Sequence, residues 1–263
     1  MLQPPLDILL WQHISSIMQM NIFEPDNLEG IIRLLNAGEI AVVGQVTWGS
    51  NFTFLVKIEG EDGEIPAIYK PARGEQPLWD FPHGSLADRE VAAYLTSKAL
   101  GWDLVPPTVL RMDAPAGPGS MQLYIDVDPE RHYFTFSEVE KRRLRPTALF
   151  DVIINNADRK SGHILLSEDN RLWLIDHGLC FHDEEKLRTV VWDFAGEPVP
   201  DELLESVLIL RDHLSLENES LDALSHFLSK PELEKLRERI DRILRTPVFP
   251  SPGVGRPYPW PLV

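Results

Sequence analysis

The spacing of apolar residues divides the chain into two stretches of different character. Leu28, Ile31, Ile32, Leu34 and Leu35 recur at helical spacing, with Asp26 or Asn27 placed to cap the start and Gly38 to end it. From Glu39 the period shortens. Ile40–Val43, Phe52–Ile58 and Ile65–Tyr69 are β-rich runs punctuated by Gly44, by Trp48–Asn51 and by Gly60–Gly63, which predicts three antiparallel strands in succession. Leu86–Leu100 carries Val91, Ala92, Leu95 and Ala99 on one helical face and stops at Gly101. Strands are expected at Val105–Met112 and Met121–Val127, across the turn-rich stretch Asp113–Ser120.

Beyond this point the pattern is mainly helical. Helices are predicted over Thr147–Ile154, Asp201–Leu214, near Leu221–Leu228 and over Pro231–Leu244. They are interrupted by a hairpin, Ile164–Leu166 with Leu172–Ile175, about the turn Ser167–Arg171. The order predicts a single α+β domain of two lobes over 1–263. An antiparallel β lobe with one helix spans 21–125, a helix-rich lobe spans 126–246, and a proline-rich extended tail covers 247–263. With 263 residues, 43% of them hydrophobic, the chain has the apolar material for such a core.

Charge narrows the partners. The formal net charge is −16, which repels phosphate backbones, so nucleic acid is a poor partner and tight docking on an anionic membrane is disfavoured. No apolar stretch approaches the length of a membrane span, and no signal peptide is evident, so stable membrane insertion is not expected and a cytoplasmic location is. The apolar run Ile8–Trp11 within Met1–Met20 reads as an extra helix or as sequence upstream of the true start. Cys180 is the only cysteine and cannot close an internal disulfide. His132, His177 and His182 lack zinc-ligand spacing with it, and Cys180 is expected to pack rather than react.

The candidate chemistry centres on Asn156-Ala157-Asp158-Arg159-Lys160-Ser161-Gly162-His163 and, thirteen residues after His163, on Asp176 in Ile175-Asp176-His177-Gly178. Asp158 and Asp176 flank the expected hairpin, so strand pairing brings them near each other. Phosphoryl transfer needs two such carboxylates, one to position the attacking hydroxyl and one to hold a metal on the nucleotide phosphates. The basic run Lys141-Arg142-Arg143-Leu144-Arg145 reads as a solvated helix face, with an anion site as the alternative. Trp79 and Trp192 lie in loops flanking these motifs, either lining a substrate pocket or packing between lobes.

These motifs resemble the catalytic loop and metal motif of the phosphatidylinositol 3-/4-kinase family, which shares the protein-kinase-like fold. There, too, an arginine directly follows the catalytic aspartate, as Arg159 follows Asp158. The stretches Glu90–Tyr94 and Leu104–Thr108 are also similar to type II phosphatidylinositol 4-kinases and HipA-like kinases. Tyr69-Lys70-Pro71, Leu78–Pro82, Asn155–Lys160 and Val191–Gly196 resemble a bacterial, uncharacterised family related to these lipid kinases.

The resemblance implies that Asp158 is catalytic, with Arg159 supporting the loop or neutralising nearby charge, and that Asp176 is a metal ligand. The family has Asn five residues after the catalytic aspartate, whereas His163 stands here as the second metal ligand, a donor suited to softer divalent ions. It further implies ATP with Mg²⁺, or Mn²⁺ as the alternative. Lys70 would contact the phosphates and Glu90, with Asp88 as a competitor, would orient it. Ser50 and Asn51 would belong to a phosphate-covering turn, or to a plain hairpin turn, and Gln122, Leu123 and Tyr124 to the adenine hinge.

The activity implied is transfer of the γ-phosphate of ATP to a hydroxyl of an unidentified acceptor, a small molecule or protein ahead of a lipid. A nucleotide-binding pseudokinase and an AMP-transferring enzyme are the alternatives.

Overall fold

The computed structural model describes residues 25–46, 52–215 and 219–263. The segment Met1–Met20 and the turn residues Ser50 and Asn51 lie outside the described residues. The described chain separates into two compact units, one formed by residues up to 77 together with 107–126, the other by 78–106 together with 127–263. The helix expected in the β lobe therefore groups, by its own contacts, with the helical unit.

The first unit is a five-stranded sheet with one helix. Helix α1 (Pro25–Ala37) is followed by strands β1 (Glu39–Val46), β2 (Thr53–Gly60), β3 (Gly63–Pro71), β4 (Thr108–Arg111) and β5 (Gly119–Leu123), in the spatial order β1-β2-β3-β5-β4 and antiparallel throughout. Helix α1 begins no later than Pro25, so Asp26 and Asn27 sit inside its first turn instead of capping it. Its buried stripe Ile31, Leu34 and Leu35 packs on the sheet, where Val56, Ile58 and Ala67 are also buried. Strand β4 is shorter than expected because Pro106 and Pro107 offer no ladder donors.

Buried Arg111 ties the helix to the sheet, donating to Leu35 O at 3.1 Å and Gly38 O at 2.9 Å. A cation thus satisfies carbonyls that the end of α1 leaves unpaired. Gly38 is there because a Cβ would meet Ile58 Cγ2 at 2.5 Å.

The second unit is helical around a hairpin. Its elements are α2 (Leu86–Ala99), α3 (Glu138–Arg142), α4 (Arg145–Ile154), β6 (Ile164–Leu166), β7 (Leu172–Leu174), α5 (Asp201–Ser215), α6 (Glu219–Ser225) and α7 (Lys230–Arg245). Helix α4 starts two residues earlier than its apolar run because Pro146 suits a first turn. Helix α3 was not foreseen, although Ser137 and Glu140 form a capping box that the sequence spells out.

The basic run is used on the protein's own groups. Arg143 donates to Asn170, Arg145 to Glu197 at 2.6 Å, and Lys141 lies over the Tyr133 ring. Trp192 packs within this unit, its Nε1 donating to Pro257 O at 3.3 Å, whereas Trp79 is 92% exposed. No helix among the described residues is long and apolar enough to cross a membrane.

Gly119 of β5 tests how closely the sheet is packed. A Cβ added there would lie 2.3 Å from Lys70 O and 2.7 Å from Pro71 Cα, both backbone atoms that cannot turn aside. Gly119→Ala is expected to cost about 1–3 kcal/mol, read as a lower urea midpoint at unchanged slope.

Candidate active site

The second unit builds its site from the end of α4 outward. Asn155 terminates the helix in the left-handed conformation, φ 51° and ψ 55°, which asparagine tolerates better than most residues. Its amide donates to His182 O and Glu184 O and accepts from Lys186 N, so one buried side chain pins a distant segment to the loop entrance. Asn156 then closes an Asx turn, its Oδ1 accepting from Asp158 N at 2.9 Å while its Nδ2 donates to Asp151 Oδ1 at 3.0 Å.

Arg159 is the centre of this loop. Its side chain is fully buried and opposite Asp151, itself fully buried on α4. Nε lies 3.0 and 3.2 Å from the two carboxylate oxygens. Nη1 donates to His163 O at 3.2 Å and Ile175 O at 2.9 Å, and Nη2 lies 2.8 Å from His177 Nε2. Because a guanidinium only donates, His177 Nε2 accepts and its proton sits on Nδ1.

The His177 amide in turn donates to Glu90 Oε2 at 2.9 Å. Thr189 Oγ1 donates to the second Asp151 oxygen at 3.0 Å. Arg159, grouped by its position with the catalytic residues, thus supports the loop and touches no solvent. Its partners Asp151, Thr189 and His177 were missed in the sequence. Only the Asp151 spacing, eight residues before Arg159 across a helix end, offered a signal.

The hairpin then sets the second carboxylate. Pairing of β6 with β7 continues one step beyond the strands, where Ile175 N donates to His163 O at 3.1 Å. The chain next turns at Asp176 with φ 61°. This brings His163 Nε2 and Asp176 Oδ2 to 3.1 Å, with the Asp176 side chain 46% exposed. Left-handed backbone recurs at Asn155 and Phe181 around the same motif, a concentration of strain typical of functional sites.

Asp158 sits beside this pair, its Oδ2 2.9 Å from Lys160 Nζ. Burial pushes its pKa above the ordinary value. The hydrogen bond from Lys160 pulls it back, and the charge of Asp176 raises it further.

Among the described residues, no three His, Cys, Asp or Glu side chains converge into a preformed metal cage. A carboxylate and an imidazole that face each other, with one oxygen-bearing side chain open to solvent, fit a divalent ion that arrives with phosphates and water on its other positions. Cys180 is buried, and burial pushes its thiol well up, which removes it as a nucleophile.

The remaining candidate residues lie in the first unit. Lys70 is half-buried in β3 and paired with Ser120 of β5. Gln122 faces Ile68 one step away and gives its amide to Thr108 Oγ1 at 2.8 Å. Leu123 N donates to Pro107 O and Tyr124 N to Pro66 O, and burial pushes the Tyr124 hydroxyl up to about 12. The two amides are held by these carbonyls. Glu90 and Asp88 belong to the second unit, where Glu90 is 3% exposed, and burial raises the Asp88 carboxyl.

No protein-family model matches the chain. It is 41% identical over 263 residues to protein Rv2133c of Mycobacterium tuberculosis, covering 87% of this chain and 94% of the mycobacterial one. It is 33% identical over 186 residues to phosphatidylinositol 4-kinase gamma 4 of rice, covering 56% of this chain but only 32% of the plant protein. The fold is similar to the Golgi casein kinase with Mn/ADP bound (TM-score 0.56, 14% identity, 89% of this chain and 79% of that chain). It is also similar to hydra Fam20 with sugar (TM-score 0.51, 13% identity, 90% and 93%). The architecture is protein-kinase-like.

Two outcomes follow from the geometry. Removing Arg159 by Arg159→Met leaves Asp151 buried without its cation and is expected to cost about 3–5 kcal/mol in urea unfolding. Asp158 behaves oppositely. Its folded pKa lies above the unfolded value of 3.8, so its contribution is fully present below that value and is lost as pH rises through the folded pKa. Asp158→Asn is therefore expected to raise the melting temperature at pH 7, with the gain shrinking as pH falls toward 3.

Proposed function

Since the chain belongs to the same family as Rv2133c of Mycobacterium tuberculosis, a family of kinase-like fold, we propose that it is an ATP-dependent phosphotransferase acting on a hydroxyl. The observation that carries the reading is the hairpin that sets His163 Nε2 3.1 Å from Asp176 Oδ2, beside Asp158 on a loop anchored at its start by Asn156 and at its end by buried Arg159. The plant relative named a phosphatidylinositol 4-kinase and the fold neighbour named as holding Mn/ADP support the same class.

In this reading Asp158 orients the acceptor hydroxyl and receives its proton as the oxygen attacks the γ-phosphorus and ADP leaves. Its raised pKa suits that role, because a carboxylate closer to neutrality is a better proton acceptor. A divalent ion held by Asp176 and His163 supplies charge neutralisation on the phosphates. Lys70 is assigned to the nucleotide phosphates and Gln122 to Tyr124 to the adenine, while Glu90 holds the His177 amide beside Asp176. A small molecule or a protein ranks ahead of a lipid as acceptor, since a net charge of −16 opposes an anionic lipid surface. A nucleotide-binding regulatory protein is the second reading, favoured by the histidine at 163, whose ring is engaged with Asp176.

The test is ADP and AMP release with Mg²⁺ or Mn²⁺ across a panel of acceptors. Asp158→Ala is expected to lower kcat at least about a hundredfold while nucleotide binding persists. Lys70→Ala and Asp176→Ala are expected to weaken nucleotide binding itself. Turnover should be faster with Mn²⁺ than with Mg²⁺, and His163→Asn should reverse that order. Nucleotide binding without ADP release under any condition supports the regulatory protein, and AMP release supports AMP transfer.

A further inference from the structure

The proline-rich segment is tied to the catalytic loop through its main chain. Phe249 exchanges backbone hydrogen bonds with the 196–197 turn, accepting from Gly196 N and donating to Glu197 O, both at 2.9 Å. Further along, Pro257 O accepts from Thr189 N at 3.1 Å and from Trp192 Nε1 at 3.3 Å. Leu262 O accepts from Ser161 N at 2.9 Å.

These contacts fall at two sensitive places. Thr189 holds Asp151 through its hydroxyl and bridges Arg159 through its backbone. Ser161 is fully buried and opens the short turn that ends at His163, between the candidate catalytic aspartate and the candidate metal ligand.

The segment's chemistry suits this task. Pro257, Pro259 and Pro261 have no N–H and a fixed φ, so the segment offers acceptors and loses little freedom on docking. Trp260 is 74% and Val263 63% exposed, while Pro259 is buried, so the hold combines these carbonyls with the packing of Pro259. Asp158 has its amide fixed by Asn156 and His163 has its carbonyl fixed by Arg159. The stretch between them, Arg159 to Ser161, is fixed on its donor side by Arg188 O to the Arg159 amide and by Leu262 O to the Ser161 amide.

We infer that residues 257–262 are a positioning strap that holds loop 158–163 in its working shape, so that Asp158 and the His163–Asp176 pair keep their separation. Its consequence for turnover rests on the phosphotransfer reading; its effect on the loop does not.

The test compares the full chain with a chain truncated after Arg256, and with Trp192→Phe, which removes one donor to the strap and keeps a ring in place. Amide exchange at Ser161 and Thr189 is expected to rise at least about tenfold in the truncated chain and less in Trp192→Phe. The kcat should fall about tenfold or more, with KM for ATP within about threefold. Adding the peptide Pro-Tyr-Pro-Trp-Pro-Leu-Val should restore slow exchange and turnover together.

Unchanged exchange at Ser161 would overturn the inference, as would faster exchange with unchanged kcat. Collapse of the truncated chain without rescue by the peptide, together with an unaltered Trp192→Phe, would also overturn it by reducing the segment to general fold support. Should the full chain show no turnover with any metal, the phosphotransfer reading fails, and exchange with peptide rescue alone decides the strap.

Discussion

A guanidinium with no exposure to water must spend its donors on the protein, and Arg159 does so by joining three separate pieces of chain. It binds the carboxylate of Asp151 on α4, the carbonyls of His163 and Ile175 on either side of the hairpin, and the ring of His177. Desolvation makes the pair with Asp151 poor evidence of net stability. Its value lies in geometry: a planar fork has only one way to reach all these acceptors, which lysine cannot imitate. The spacing between Asp158, His163 and Asp176 is a by-product of that single arrangement. Through His177 the same network reaches Glu90 on α2, so a helix far away in sequence is registered to the metal motif.

Much of this was legible from sequence and part of it was not. The strands of the first unit declared themselves through β-rich runs and glycine punctuation, and the hairpin through a turn between two apolar triplets. In sequence that hairpin brings Asp158 near Asp176, whereas the close pair it sets, His163 with Asp176, is grouped there only through the family resemblance. Partners of the buried arginine were not legible, because Asp151 lies inside an apolar helical run where a polar residue looks like an interruption. Its role appears only when the left-handed turn at Asn155 folds the next residues back over it. Ends of elements were misjudged wherever a proline decided them, as at Pro106 and Pro107 before β4 and at Pro146 in α4. The basic run looked free in sequence because two of its partners, Glu197 for Arg145 and Asn170 for Arg143, are dozens of residues away.

Charge is organised by depth. The surface carries the excess of acid that sets the net charge at −16. Buried cations, besides pairing with carboxylates, act on main-chain carbonyls: Arg111 at the end of α1, Arg159 at the hairpin, and Arg239 at Ile153 O. Burial pulls Arg239 down to about 10, which still leaves it charged at neutral pH. Cations used this way tie the irregular ends of helices and strands that carbonyl geometry would otherwise leave to water.

The backbone at Asp176, with φ 61°, restricts what can stand there before any chemistry is considered. Branched and bulky side chains are penalised in that conformation, while Asp, Asn and Gly are tolerated. The alphabet open to this position by drift is therefore short. A lineage that no longer needed the charge would pass first to the amide or to glycine, keeping the turn and shedding the carboxylate. In this architecture, loss of that charge and loss of folding are separable events, legible at one residue.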